Sequence, residues 1–142
     1  PLMLTVKWLK NPQDLNDAFF IREMVFIKEQ GFRNEFDETD NTCDHLVLYE
    51  DGKAAGCARI FPDGGNCWHV GRVAVLPEFR GKGLGARLME EAEARARELG
   101  AEKICLSAQV QAGGFYRRLG YRADSEPYLD EHCPHVRMEK TL

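Results

Sequence analysis

Residues 73–94, "VAVLPEFRGKGLGARLMEEAEA", change character in mid-run: an apolar stretch gives way to Gly81, Gly83 and Gly85 at every second position, with Arg80 before them and Lys82 among them. Beyond the glycines, Leu84, Leu88, Met89, Ala92 and Leu99 return at helical spacing, so the stretch reads as a strand handing over to a helix. Glycine lets the backbone approach a ligand closely, and a helix N-terminus offers unpaired N–H groups with a partial positive charge. Together they fit an anion, most often phosphate. The alternative is a glycine-rich connection whose basic residues face water.

The rest of the chain narrows the choice. Its 142 residues suffice for one core and one domain, 1–142, and no linker or internal repeat interrupts them. The formal net charge of −4 argues against nucleic acid as the main partner, because binding a phosphate backbone needs a basic face. A basic turn on an acidic protein points instead to one small anionic ligand. No apolar run approaches the length needed to span a bilayer, and "PLMLTVKWLKNP" lacks a signal-peptide layout, so a cytoplasmic location away from membranes is expected. Five cysteines, odd in number and without a CxxC pair, fit a reducing compartment.

Along the chain, "LTVKWL" at 4–9 reads as a strand, and Pro12 followed by "DLNDAFFIREMVFIKEQG" as a helix ending near Gly31, with Leu15, Phe19, Ile21, Met24, Val25 and Ile27 on its apolar face. Residues 32–44, "FRNEFDETDNTCD", are acidic and aperiodic and read as a loop over one end of the domain. A hairpin turns at Asp51-Gly52, and "PDGGN" at 62–66 leads into the strand before the glycine turn. In the helix after it, Glu91 with Arg95 and Glu93 with Arg97 form outward i,i+4 pairs, and Gly100 ends it. "EKICLSAQV" is the next strand, "AGGFYRRLG" a short helix and "PHVRMEK" the last strand. The order is βα, three antiparallel strands, then α-β-α-β: an α/β mixed sheet flanked by helices.

Two familiar phosphate motifs fail here. A Walker loop needs Ser or Thr after Gly-Lys, and Gly83 stands there. Gly81, Gly83 and Ala86 fit the letters of a dinucleotide fingerprint, but that pattern closes the first strand of a parallel unit, whereas this one follows three antiparallel strands. The Arg-x-x-Gly-x-Gly turn "RGKGLG" at 80–85, after "GRVAVLP", resembles the acetyl-CoA pyrophosphate loop of the GCN5-related N-acetyltransferases (GNAT). "AGGFYRRLGY" at 112–121 resembles the second signature of that superfamily. "REMVFIKEQG" at 22–31, His45, "SAQ" at 107–109 and "PYLDEHCPHVRMEK" at 127–140 are similar to the ElaA-like bacterial subgroup. The resemblance implies a GNAT fold, a central, mostly antiparallel sheet of six to seven strands flanked by about four helices.

It also implies an acetyl-CoA-dependent N-acetyltransferase and assigns residues. The backbone from Gly81 through Lys82, Gly83, Leu84, Gly85 and Ala86 would hold the pyrophosphate, with Arg80 and Lys82 supplying charge. Val73, Ala74 and Val75 would pair through their backbone with the pantetheine arm, with Phe115 and Tyr116 beside the cofactor. Many members carry Asn after the fifth strand; this chain offers Gln109 or Gln111, and Gln109 is carried to the cofactor. Tyr116 would protonate the departing thiolate or, alternatively, pack in the core. Glu29 and His45 are candidates to take the amine proton, with a solvated helix end and a strand cap as their plain alternatives. His135 would line the acceptor pocket, while His69, alternating on a strand, reads as structural.

"HCPH" at 132–135 offers three donors without the four supported ligands of a zinc site, so no metal is expected. The acidic loop, Asp37 included, suggests attraction of a cationic acceptor, with a solvated, solubilising loop as the alternative. The expected partner is a small-molecule or peptide amine, with a homodimer as one assembly the reading admits. A non-catalytic acyl-CoA-binding sensor or partner module is the competing function.

Overall fold

The computed structural model describes residues 2–10 and 14–142, so the helix start expected at Pro12 lies outside the described residues. Its elements, in chain order, are β1 (Leu4–Leu9), α1 (Asn16–Arg22), a π-helical continuation (Glu23–Glu29), β2 (Asp44–Glu50), β3 (Lys53–Pro62), β4 (Cys67–Val75), α2 (Leu84–Glu98), β5 (Lys103–Gln109), α3 (Gly113–Arg118), β6 (Arg122–Ala123), β7 (Tyr128–Asp130) and β8 (Cys133–Thr141). The strands form one sheet in the order β1-β2-β3-β4-β5-β8-β6, with β7 also on β8. Every pairing is antiparallel except β4 with β5. Eight strands and three α-helices replace the six to seven and about four expected. Very short β6 and β7, too brief to show a period, account for the extra strands.

The α1 segment covers one face of β2–β4, burying Ala18, Ile21 and Val25 against Val47, Cys57 and Ala74. On the other face α2 packs Met89, Ala92 and Ala96 over Ile60, Val70, Ile104, Leu106 and Met138. Leu84 and Leu88 join Leu46, Leu48, Ala55 and Ala58. Leu99, assigned to that apolar face, is exposed. The outward pairs expected on α2 are also rearranged. Arg87 pairs with Glu91, Arg95 reaches Asp44 and Glu98, and Glu93 is buried, accepting from the Tyr121 hydroxyl at 2.7 Å and from Lys140 at 2.9 Å. A buried carboxylate needs such partners, and they come from residues 28 and 47 positions away in sequence.

The first helix departs most from expectation. From Glu23 it widens into π geometry, with the Gln30 N–H bonded to the Val25 carbonyl at 3.1 Å. Met24, counted on the apolar face, is exposed. The following acidic segment is not an open loop. It carries a 3₁₀ turn over Glu38–Asn41 with a reciprocal Asp37/Asp40 cap, and three arginines grip it. Arg22, only 1% exposed, bonds Glu35 and Asp40; Arg59 bonds Asp37 and Asp40; Arg72 bonds Glu35 and Asp37. The expected concentration of unpaired negative charge is therefore cancelled by cations from α1, β3 and β4. The turn at Asp51-Gly52 is as read, both residues having positive φ. No helix among the described residues is long and apolar enough to cross a membrane.

Candidate active site

Parallel β4 and β5 pair only at their first three residues, Cys67–Lys103, Trp68–Ile104 and His69–Cys105. Past that point they diverge, because each is committed elsewhere: β4 to β3, and β5 to β8 along its whole length. Arg72 sits at φ 52° where the β3/β4 register slips, a bulge that bends β4 away from β5. The wedge between them is a cleft of about 330 Å³. Gly71, Arg72 and Val73 form one wall, and Ser107, Gln109, Ala112 and Tyr116 the other. Phe26, Gln30, Phe32, Asn34, Glu131 and His135 close the far side.

At one end of the wedge lies the glycine turn. Gly81 and Gly83 have φ of 81° and 82°, a region that L side chains avoid, and nothing crowds either Cβ position. Gly85 differs: a Cβ there would come within 3.2 Å of the Phe115 ring, so its smallness lets the two signature motifs touch. Among the described residues no backbone carbonyl accepts from the N–H groups of 81–86, which leaves them turned outward at the start of α2. Arg80 forms a two-pronged pair with Glu29 at 2.6 and 2.7 Å and bonds the Val75 carbonyl, while Lys82 pairs with Glu50 at 2.9 Å.

Val73 lines the cleft, and Ala74 and Val75 pair with Cys57 and Gly56 of β3, so the opposite edge of β4 faces the wedge. Tyr116 on α3 packs edge-on against Phe115 at 4.9 Å and Tyr121 at 5.9 Å. Burial pushes its hydroxyl up to about 12, so it stays a protonated donor at neutral pH. Gln109 donates to Gln30 at 2.7 Å and accepts from Gln111, an amide bridge across the cleft.

On the far side the Glu131 carboxylate accepts from the N–H groups of Arg33 and Asn34 at 2.9 and 3.0 Å, tying the β7–β8 turn to the loop after the π segment. His135, buried beside Phe32 and Tyr128, places Nδ1 2.9 Å from the Cys133 carbonyl. A carbonyl only accepts, so Nδ1 carries a hydrogen in that bond.

The two expected base candidates, Glu29 and His45, are not brought to the cleft. The Arg80 guanidinium holds the Glu29 carboxyl below its usual range and occupies it. His45 is 1% exposed, its Nε2 bonded to the Asp40 carbonyl at 2.9 Å, and burial lowers its affinity for a proton. Asp37 is held by Arg59 and Arg72 rather than lining the pocket. Conversely, Gln30, Phe32, Asn34, Arg72, Ser107 and Glu131 line the cleft without having been singled out, and so does His69, read as structural. "SAQ" was the one local signal for Ser107; the others converge only through the sheet.

A sheet splayed between two parallel strands, with a glycine turn capping the next helix and a tyrosine lining the wedge, is the arrangement that the resemblance implies for a CoA-dependent acyltransferase. Residues 15–142 match the family model described as the acetyltransferase (GNAT) domain. The uncharacterized N-acetyltransferase YjcF of Bacillus subtilis is 40% identical over 92% of this chain and 95% of its own. An acyl-CoA N-acyltransferase from Pseudomonas aeruginosa superposes with a TM-score of 0.85 at 29% identity, covering 99% of this chain and 100% of that one. Escherichia coli ElaA superposes at 0.87 with 24% identity over 97% and 99%, a likeness of fold. The chain belongs to the GNAT superfamily and is an acetyl-CoA-dependent N-acetyltransferase.

Proposed function

We propose that the chain transfers the acetyl group of acetyl-CoA directly to a primary amine of a small molecule or peptide, both held together in the wedge. The observation that carries this reading is the meeting in one cleft of the unpartnered edge of β4, the Tyr116 hydroxyl and the His135 imidazole. The pyrophosphate lies on the N–H groups of 81–86, and Arg80 and Lys82 turn from Glu29 and Glu50 toward it. The pantetheine arm pairs with β4 from Val73 to Val75, and a backbone N–H there polarises the thioester carbonyl. The far end, with Gln30, Phe32, Asn34 and His135, takes the acceptor.

The amine lone pair attacks the carbonyl carbon, and His135 Nε2 takes a proton from nitrogen, directly or through water. The carbon–sulfur bond then breaks, its electron pair leaves on sulfur, and Tyr116 gives that sulfur its proton. Burial raises a phenol and a thiol alike, so their ordering in water, thiol the stronger acid, is kept; transfer accompanies bond breaking rather than preceding it. The test is thiol release from acetyl-CoA across a panel of amines, polyamines, amino sugars and peptides, followed by His135→Gln on the best acceptor. Turnover should fall about 10²-fold with CoA affinity unchanged. An unaltered kcat removes His135 from the reaction, and thiol release that no amine accelerates would favour an acyl-CoA sensor.

A further inference from the structure

At the closed end of the wedge, where β4 and β5 stop pairing, three donor atoms from distant parts of the chain meet. Cys105 Sγ lies 3.2 Å from Asp63 Oδ2 and 3.9 Å from His69 Nδ1, and His69 Nδ1 lies 3.9 Å from Asp63 Oδ2. Zinc–ligand bonds of about 2.0–2.3 Å at tetrahedral angles separate donor atoms by about 3.3–3.8 Å. The observed triangle brackets those values, so small side-chain rotations suffice. Cys67 stands two residues before His69 on the same strand and so on the same face.

We propose that Asp63, His69 and Cys105, with Cys67 as fourth donor, form a binding site for a thiophilic divalent cation, zinc foremost. The set of two sulfurs, one imidazole and one carboxylate is that of a tetrahedral zinc site.

Local packing already orients the ligands. The His69 ring stacks on Phe61 at 4.8 Å, aiming Nδ1 at the cluster. The turn that carries Asp63 is fixed by its N–H on the Cys67 carbonyl at 2.8 Å. Asp63 is half exposed, which gives the ion an entry path. Nearby cations are answered elsewhere: Arg59 and Arg72 by Asp37 and Glu35, Arg137 by Asp124 and Glu139.

A second group, Asp40, Cys43 and His45, looks similar in composition but is unsuited, because Arg22 and Arg59 already hold the Asp40 carboxylate and would repel a cation. An ion at the first cluster would clip the β3–β4 turn, β4 and β5 together at the point where the wedge opens. Each bound thiol releases its proton to solvent.

The test is titration of the reduced full-length chain with Co²⁺, followed by Zn²⁺. One equivalent of cobalt should give a thiolate-to-metal charge-transfer band and the intense visible bands of a tetrahedral centre, and zinc should displace it. Loss of a supporting residue around a metal typically weakens binding about 10–100-fold, so loss of a ligand should do at least that. Cys105→Ser, His69→Gln and Asp63→Asn should each weaken cobalt binding at least about tenfold, while Cys43→Ser and Cys133→Ser leave it intact. Should Cys105→Ser not fold, the half-exposed Asp63 supplies the same readout. Absence of the charge-transfer band, an undiminished cobalt affinity in Cys105→Ser or in both other ligand variants, or loss of the band in Cys43→Ser overturns the site.

Discussion

Removing only the hydroxyl of Tyr116 separates its chemistry from its packing, since the ring contacts with Phe115 and Tyr121 survive in phenylalanine. Tyr116→Phe should bind CoA normally by calorimetry and lose turnover about 10²-fold; an unchanged kcat would mean that water or another group protonates the thiolate. Gly83→Glu places a negative charge beside the outward N–H groups of 81–86 and forces a side chain to φ 82°, costing roughly 1–2 kcal/mol of stability. CoA affinity should collapse while far-ultraviolet circular dichroism still reports a folded protein. Unchanged affinity in calorimetry would detach this turn from the cofactor. The sequence marks Gly81, Gly83 and Gly85 identically, yet only the first two need positive φ; the third is small because Phe115 approaches from 30 positions away. Glu93 was equally opaque, since the residues that bury and satisfy it lie at 121 and 140.

Between elements, the Gly85–Phe115 contact joins α2 to α3, so Gly85→Leu should overpack it and lower stability by about 1–3 kcal/mol, read as a drop in denaturant midpoint. An unchanged midpoint would show that α3 shifts freely. The acidic segment makes a sharper contrast. Composition alone suggests a field that recruits a cationic acceptor, but its carboxylates face Arg22, Arg59 and Arg72. Asp37→Asn with Asp40→Asn should therefore destabilise the fold by roughly 3 kcal/mol or more, by leaving buried guanidinium charge unmatched. KM for a cationic acceptor, and its dependence on salt, should remain those of the parent. A raised KM with an unchanged melting temperature would restore the loop to substrate recognition. The π geometry of 23–29 is not legible in the apolar spacing, which reads as one regular helix to Gly31 and puts the exposed Met24 on its apolar face.

Across the whole molecule, this arginine–carboxylate network joins α1, the acidic segment, β3 and β4, and it should govern acid stability. Asp40 is lowered to about 2, with the Arg22 hydrogen bond the largest favourable cause against burial, and Asp37 is lowered by Arg59. A carboxyl lowered on folding stabilises above its unfolded value near 3.9, and that contribution disappears as pH falls toward about 2. For Asp40 it is on the order of 2 kcal/mol. Glu35, raised by burial, acts in the opposite sense at slightly higher pH. The melting temperature should thus hold to about pH 4 and fall steeply below, and Asp40→Asn should flatten that fall while starting lower; an equally steep fall in that variant would exonerate Asp40. The sequence by itself determined the order of elements, the strand-to-helix glycine turn and the second signature with Tyr116, because these depend on side-chain periods and backbone freedoms that act within about ten residues. Only the tertiary structure decided the splay of β4 from β5, the pairing of Glu29 with Arg80, the burial of His45, the facing of His135 into the cleft and the meeting of Asp63, His69 and Cys105. Those depend on which strands become neighbours in the sheet, and a local pattern carries no information about residues brought together from 36 or 42 positions apart.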